Sequence, residues 1–253
     1  SGKIFSLFNL CLTSNSETKY YLSKLSAKNV HTNGNIKLIN KINEKNIKNP
    51  NEKFLLNNKF WLAASTHEGE EYFCLQTHLA LKKKFKSIIT IIAPRHINRV
   101  RNIKKVCEKL KLNVQILKKN ELILDNKEII IINSFGVLPI YYKYSKSVFI
   151  GKSMLKKLEG VGGQNPIDAA KLGCKVYHGP YVYNFKEVYE ILEKNNITKK
   201  INSPLELGNN LEQDFNKMNK ADNQITHSIN QLGQKTLVDT MKYVNKFLMN
   251  EIK

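Results

Sequence analysis

The stretch "VGGQNPIDAA" (161–170) carries the densest set of residues with chemical use. Asn165 has the side chain of a helix N-cap, Pro166 suits a first helical position, and Asp168 suits a first turn. Gly162 and Gly163 permit backbone angles closed to other residues. Two chemistries fit. One is a capped helix and nothing more. The other is a helix start whose amides face a phosphate while Asp168 accepts hydrogen bonds from ribose hydroxyls. These ten residues leave both open.

Three other short stretches have the same double character. In "APRHINR" (93–99), Arg95 can hold a phosphate or carboxylate bidentately, with His96 and Arg99 as solvated helix-start residues. Arginines fall at 95, 99 and 101 in a chain whose cations are mainly lysines, which favours a use for Arg95. In "STHEGEE" (65–71), Ser65 or Thr66 with a later Glu resembles a capping box, and His67 and Glu68 are candidates to touch a substrate. "NSFGV" (133–137) is either a plain turn or a place where glycine lets the backbone approach a flat base.

The elements around these stretches give them a common place. "KFWLAA", "SIITIIA", "NVQIL", "EIIIIN", "SVFIG" and "CKVYHG" read as buried strands. "EEYFCLQTHLALKKKF", "INRVRNIKKVCEKLKL" and "NFKEVYEILEKN" read as helices, and "GVLPIYYKY" as a short one. Continuous apolar strands alternating with helices predict an α/β fold with a parallel sheet covered on both faces. Ligands of such sheets bind beyond the carboxyl ends of the strands, which is where all four stretches fall. Upstream, the pattern predicts a strand over 4–12, a helix over 15–25 capped by Ser14 or Ser16, and a short strand near 29–32. Residues 41–58 read as an irregular linker. Helices are expected at about 204–217 and 221–249.

The totals narrow the class. The 253 residues allow a sizeable core. The formal net charge of +20 reflects scattered lysines, with no aromatic interleaving of the kind that stacks single-stranded bases. A lysine-rich compositional bias with some attraction to anionic surfaces is the expectation, and nucleic acid is not an expected partner. Cys11, Cys74, Cys107 and Cys174 form no CxxC pair, and the histidines show no metal-binding spacing. Reduced thiols, no metal and no cofactor are expected. No segment reaches the length of a membrane span.

The motifs "WLAASTHEGEE", "IIAPRHINR", "NSFGVL", "VFIGKS" and "VGGQNPIDAAKLGCKVYHGPYVYNF" occur in an order and spacing that resemble the C-terminal half of 3-deoxy-D-manno-octulosonic acid (Kdo) transferases. The resemblance covers roughly residues 4 to 195. It implies the two-Rossmann-domain (GT-B) architecture of glycosyltransferases. It further implies inverting, metal-independent transfer of Kdo from CMP-Kdo to the lipid A precursor, at the cytoplasmic face of the bacterial inner membrane. The CMP contacts it implies are Pro94 and Arg95, then Phe135, Gly136 and Val137, then Asn165, Pro166, Ile167 and Asp168. Lys37, His67, Glu68, Gly162 and Gly163 are further candidates for the donor.

The resemblance also implies a division of the chain. Residues 1–40 correspond to the end of an acceptor domain, with Gly34-Asn35-Ile36-Lys37 matching the family's Gly-Asn-x-Lys. Residues 41–58 are a linker, 59–220 the donor-nucleotide domain, and 221–253 a C-terminal helix. The family's catalytic glutamate base belongs to the N-terminal domain and has no counterpart in this sequence. Three departures stand out. The family's Asp-Thr-x-Gly-Glu is Asn133-Ser134-Phe135-Gly136-Val137 here, its Gly-Gly-Ser is Gly151-Lys152-Ser153, and its Glu after Asn-Pro is Asp168. Two other classes remain open on the sequence: a GT-B enzyme using a UDP-sugar, and a non-enzymatic nucleotide- or nucleic-acid-binding module.

Overall fold

The polypeptide divides into two compact units, residues 42–226 and residues 1–41 with 227–253. The structure is a computed structural model and describes residues 2–40, 42–216 and 223–251.

The larger unit is built on seven parallel strands. They are β3 (Phe60–Thr66), β4 (Ile89–Pro94), β5 (Val114–Leu117), β6 (Ile129–Ile132), β7 (Ser147–Ile150), β8 (Lys175–His178) and β9 (Thr198–Lys200). Their order across the sheet is β5-β6-β4-β3-β7-β8-β9. The chain runs outward from β3 to one side, then returns to place β7 on its other side. The order therefore reverses between β3 and β7, the place at whose carboxyl edge open α/β sheets take their ligands.

Side-chain alternation explains why the strands are apolar throughout. Leu62, Ala64, Ile91 and Ala93 enter one core cluster. Their neighbours Trp61, Ala63 and Ile92 enter the other. A period of two sends successive residues to opposite faces, so both faces need apolar side chains. The first face is covered by α3 (Glu52–Asn57), α6 (Leu138–Tyr142), α7 (Ile167–Lys171) and α8 (Lys186–Lys194). The second is covered by α4 (Glu70–Lys82), α5 (Val100–Lys109) and α9 (Pro204–Asn216). The α/β class and the parallel sheet expected from the sequence are present.

In the smaller unit, α1 (Gly2–Phe5) precedes a parallel pair, β1 (Cys11–Thr13) and β2 (Val30–Thr32), joined by α2 (Ser16–Lys24). The long helix α10 (Asn223–Glu251) enters this unit from His227 onward. There Asn33 Nδ2 donates to Thr240 Oγ1 at 2.6 Å. His31 stacks on Tyr243 with centroids 4.3 Å apart.

Several local expectations are corrected. The strand expected over 4–12 is a helix at Gly2–Phe5 and a strand only from Cys11, with Ile4, Leu7 and Phe8 exposed. A short apolar run does not distinguish the two by periodicity. Asn15, rather than Ser14 or Ser16, caps α2, its side chain accepting from Thr18 N at 2.7 Å. The stretch read as an irregular linker contains α3. Its polar Asn51 makes tertiary contacts, donating to Glu121 O and accepting from Ile123 N. Strand β9 was not anticipated. Of the two C-terminal helices, the expected residues 217 and 221–222 lie outside the described residues. Among the described residues, no helix is long and apolar enough to cross a membrane.

Two buried histidines give the larger unit a pH dependence. His78 bonds Thr90 Oγ1 at 2.9 Å and Glu128 Oε2 at 3.2 Å, and His178 Nδ1 lies 2.7 Å from Gly179 O. Burial is the main cause that lowers both pKa values from the ordinary 6.5. A lowered folded pKa means that the unfolded chain binds more protons in the window below 6.5. Stability should then be fully present above that pH and fall as pH drops through the folded values. Urea midpoints at pH 7.5 and 5.5 test this. A midpoint equal or higher at pH 5.5 would refute it.

Candidate functional site

Strands β6, β4, β3 and β7 are adjacent, so the loops after them open side by side on the carboxyl edge. The loop after β3 is the organising one. Ser65 takes a left-handed φ of 55°, where the β3–β4 register slips by a residue. Gly69, with φ 99°, starts α4. This geometry turns the next residue, Glu70, inward until its side chain is fully buried.

Glu70 is a hub for backbone donors. One carboxylate oxygen accepts from His67 N at 2.9 Å and Lys152 N at 2.7 Å. The other accepts from Ser153 N at 2.8 Å and Met154 N at 2.9 Å. A carboxylate is acceptor-only with about four lone-pair positions, so it suits four converging N–H groups as an amide would not. The result ties the loop after β7 to the loop after β3. The capping box expected at Ser65 or Thr66 is not what forms. Glu70 does reach back three residues to an amide, as a capping-box glutamate does. Its other three bonds are tertiary.

Glu71 performs a second tie. It accepts from Thr66 Oγ1 at 2.9 Å and receives the Arg99 guanidinium on both oxygens at 2.9 Å. Arg99 is therefore an ion-pair partner, which corrects its reading as a solvated residue. Arg95 N donates to Thr66 O at 3.0 Å, and its side chain is exposed. Pro94 is buried at the end of β4. The rings of His67 and His96 meet edge to face at 5.6 Å. His67 Nδ1 lies 3.1 Å from Ser65 O, a bond that places the proton on Nδ1 in the neutral ring. Burial first, and His96 and Lys152 after it, lower the pKa of His67. Glu68 is exposed on the same loop.

The loop after β6 presents Phe135 to solvent, 65% exposed, followed by Gly136 at φ 73°. Val137 turns inward and joins the core cluster that contains Tyr142 and Ala169, so it packs α6 towards α7.

The loop after β7 is less free than its glycines suggested. Gly163 takes φ 95° and its N–H bonds Lys152 O at 2.6 Å. A Cβ on Gly162 would stand 2.2 Å from Tyr181 O. Both glycines are buried, and both serve a close backbone crossing. The N-cap of α7 is Pro166 and the helix starts at Ile167, one residue later than expected, so Asn165 is not the cap. Its Oδ1 accepts from Ile167 N at 3.1 Å in a local turn that leads into the helix. Asp168 is exposed on the first turn of α7, while Ile167 is buried. This helix has only five residues, Pro166 has no N–H, and the Ile167 N–H is already used. The helix start is thus a weak source of amides for a phosphate. Lys37 lies in the smaller unit, on the turn Ile36–Leu38.

Two features escaped the sequence reading. One is the hub at Glu70, for which the doubled glutamate of "EGEE" was the available signal. The other is Lys152, which holds φ 58°. Among the described residues, no group of three or more His, Cys, Asp or Glu side chains is placed to hold a metal.

No family model matches the chain. It is 33% identical over 132 residues to a 3-deoxy-D-manno-octulosonic acid transferase of Haemophilus influenzae, covering 52% of this chain and 30% of that protein. With the enzyme of that name from Aquifex aeolicus it shares 26% over 200 residues, 79% of this chain and 52% of the other. The chain thus spans about half or less of the length of these curated relatives. Its fold matches the crystal structure of the C-terminal CMP-Kdo binding domain of WaaA from Acinetobacter baumannii. The TM-score is 0.61 at 20% identity, over 74% of this chain and 93% of that one. HepE from Anabaena, solved with UDP, matches at a TM-score of 0.56 and 10% identity, over 95% of this chain and 64% of that one. In sequence and in fold, the chain resembles the C-terminal part of the Kdo transferases, with the Rossmann-like architecture of GT-B glycosyltransferases.

Proposed function

We propose that this chain is the donor-binding half of a Kdo transferase and holds the CMP part of CMP-Kdo at the carboxyl edge of its larger sheet. One observation carries the reading. The motif-bearing loops follow four adjacent strands, β6, β4, β3 and β7, and open together at the point where strand order reverses. The sequence likeness to Kdo transferases and the fold likeness to a CMP-Kdo binding domain support it.

In this reading the transfer is a displacement at the anomeric carbon. An acceptor hydroxyl of the lipid A precursor loses its proton to a general base and attacks as CMP departs. The developing charge on the phosphate needs cations or oriented N–H groups. Arg95 is the residue for that task, since its guanidinium is exposed at the end of β4 and its backbone is fixed to Thr66. In this reading Asp168 takes the ribose and Phe135 takes the base, both side chains being exposed. His67 and Glu68 stay candidates for the sugar end of the donor. The membrane surface where such an acceptor resides is the expected place of work.

The test is a calorimetric titration of the purified chain with CMP, UDP and cytidine. CMP should bind more tightly than either. Arg95→Ala should weaken CMP by about tenfold or more, on the scale of the 1.5–3 kcal/mol of a charge-assisted hydrogen bond. Its melting temperature should hold, because the side chain is exposed. Preference for UDP would favour the UDP-sugar reading, for which the likeness to HepE is the supporting observation. Binding governed by salt alone, with no preference for CMP, would return the +20 charge to a nucleic-acid role.

A further inference from the structure

Lys152 stands out on the loop after β7. It takes a φ of 58°, a conformation that disfavours any residue with a Cβ. Both sides of its backbone are pinned. Its N–H donates to Glu70, and its carbonyl accepts from Gly163 N. The chain therefore maintains a strained lysine with a buried carboxylate on one side and a close backbone crossing on the other. Strain of this kind persists only where the surroundings over-determine it, and it concentrates at ligand clamps.

The position is also specific. Lys152 is the second residue after β7, on one side of the strand-order reversal. Arg95 follows β4, on the other side of β3. Among the described residues, neither cation has an ion-pair partner, whereas Arg99 is neutralised by Glu71. Glu70 does not serve Lys152 as a counter-ion in the usual sense, since both of its oxygens are taken by backbone N–H groups. Lys152 is half-buried and close enough to His67 to be among the charges that lower its pKa. Two cations without ion-pair partners among the described residues thus follow the strands on either side of β3.

We propose that Lys152 is a second donor-binding cation, whose ammonium takes an anionic oxygen group of the bound donor opposite the group held by Arg95. This rests on the donor reading above. A sugar-acid nucleotide carries two such groups, the phosphate of the nucleotide and the carboxylate of the sugar. Two cations on opposite sides of β3 match that number. The same pairing gives the strain at Lys152 a purpose, because relaxing the backbone would release the clamp that aims the side chain. It also fills the part that the short helix α7 is poorly equipped to play.

The experiment compares Lys152→Gln, which keeps the strained backbone and removes the charge, with Lys152→Gly, which removes both. CMP, CMP-Kdo and cytidine are titrated against each variant and the parent. Both variants should bind CMP-Kdo at least tenfold more weakly, with cytidine unchanged within twofold. Loss on CMP-Kdo with CMP binding kept assigns Lys152 to the sugar carboxylate and supports the proposal. Equal loss on CMP would put Lys152 on the phosphate that Arg95 holds and would overturn the pairing of two cations with two groups. Lys152→Gly should melt at the parent's temperature or above, because glycine accepts the left-handed backbone. If the parent binds CMP but both variants bind both nucleotides within twofold of it, Lys152 is no ligand and the donor reading stands. Loss in the glycine variant alone would show that backbone shape, not charge, was responsible, and would also overturn the proposal. A parent that binds neither nucleotide ends the donor reading and this inference with it.

Discussion

Replacing Glu70 with Ala should cost about 3–5 kcal/mol of stability and abolish measurable CMP binding. The substitution strips the acceptor from four backbone N–H groups at once. An unsatisfied buried donor costs about 1–3 kcal/mol. The bond to Ser153 is fully buried, and water can reach the other three in part, which keeps the total below the simple sum. Binding suffers separately, because the loops after β3 and β7 lose the group that fixes their spacing. Glu70→Gln should fall between the two, since an amide can satisfy some of the N–H groups but turns its own donors towards others. Urea denaturation gives the stability and calorimetry the binding. A loss under about 1 kcal/mol with unaltered CMP affinity would show that the loop is held by other means.

A second large effect is expected at Gly162. A Cβ there would lie 2.2 Å from Tyr181 O and 2.9 Å from both Leu158 O and Lys152 O. All three are backbone atoms, so no side-chain rotation relieves the overlap. Gly162→Ala should therefore cost about 3 kcal/mol, the upper end of ordinary overpacking. Gly136 is the control. Its φ is 73°, and a Cβ there would meet nothing within 4 Å. Gly136→Ala should cost only about 1 kcal/mol, the strain of a left-handed alanine. Thermal and urea unfolding of both variants would decide it. Equal losses at the two glycines would mean that the loop after β7 moves freely enough to accept a methyl group. The three carbonyls around Gly162 would then be an incidental contact and not a fixed crossing.

The sequence by itself determined the class of fold. Strands such as "WLAA" and "IIII" are apolar at every position, and only a sheet covered on both faces gives every one of those side chains an apolar neighbour. That pattern is local, so it can be read without coordinates. So can the placement of Arg95 and Asp168 after strands, and the turn made by Asn165, whose partner is two residues away. What could not be read was any role set by partners distant in the chain. Glu70 meets its hub partners 82 to 84 residues downstream, and Glu71 meets Arg99 28 residues on. From sequence these were two glutamates at the start of a helix, and the bland cap was as good a reading as any. Gly162 and Gly163 looked like freedom because glycine permits many angles, but the tertiary structure uses them for a crossing that permits few. The strained backbone of Lys152 is the same lesson from the other side. Lysine does not seek a left-handed conformation. Only a buried carboxylate and a returning loop, brought together by the reversal of strand order between β3 and β7, hold it there.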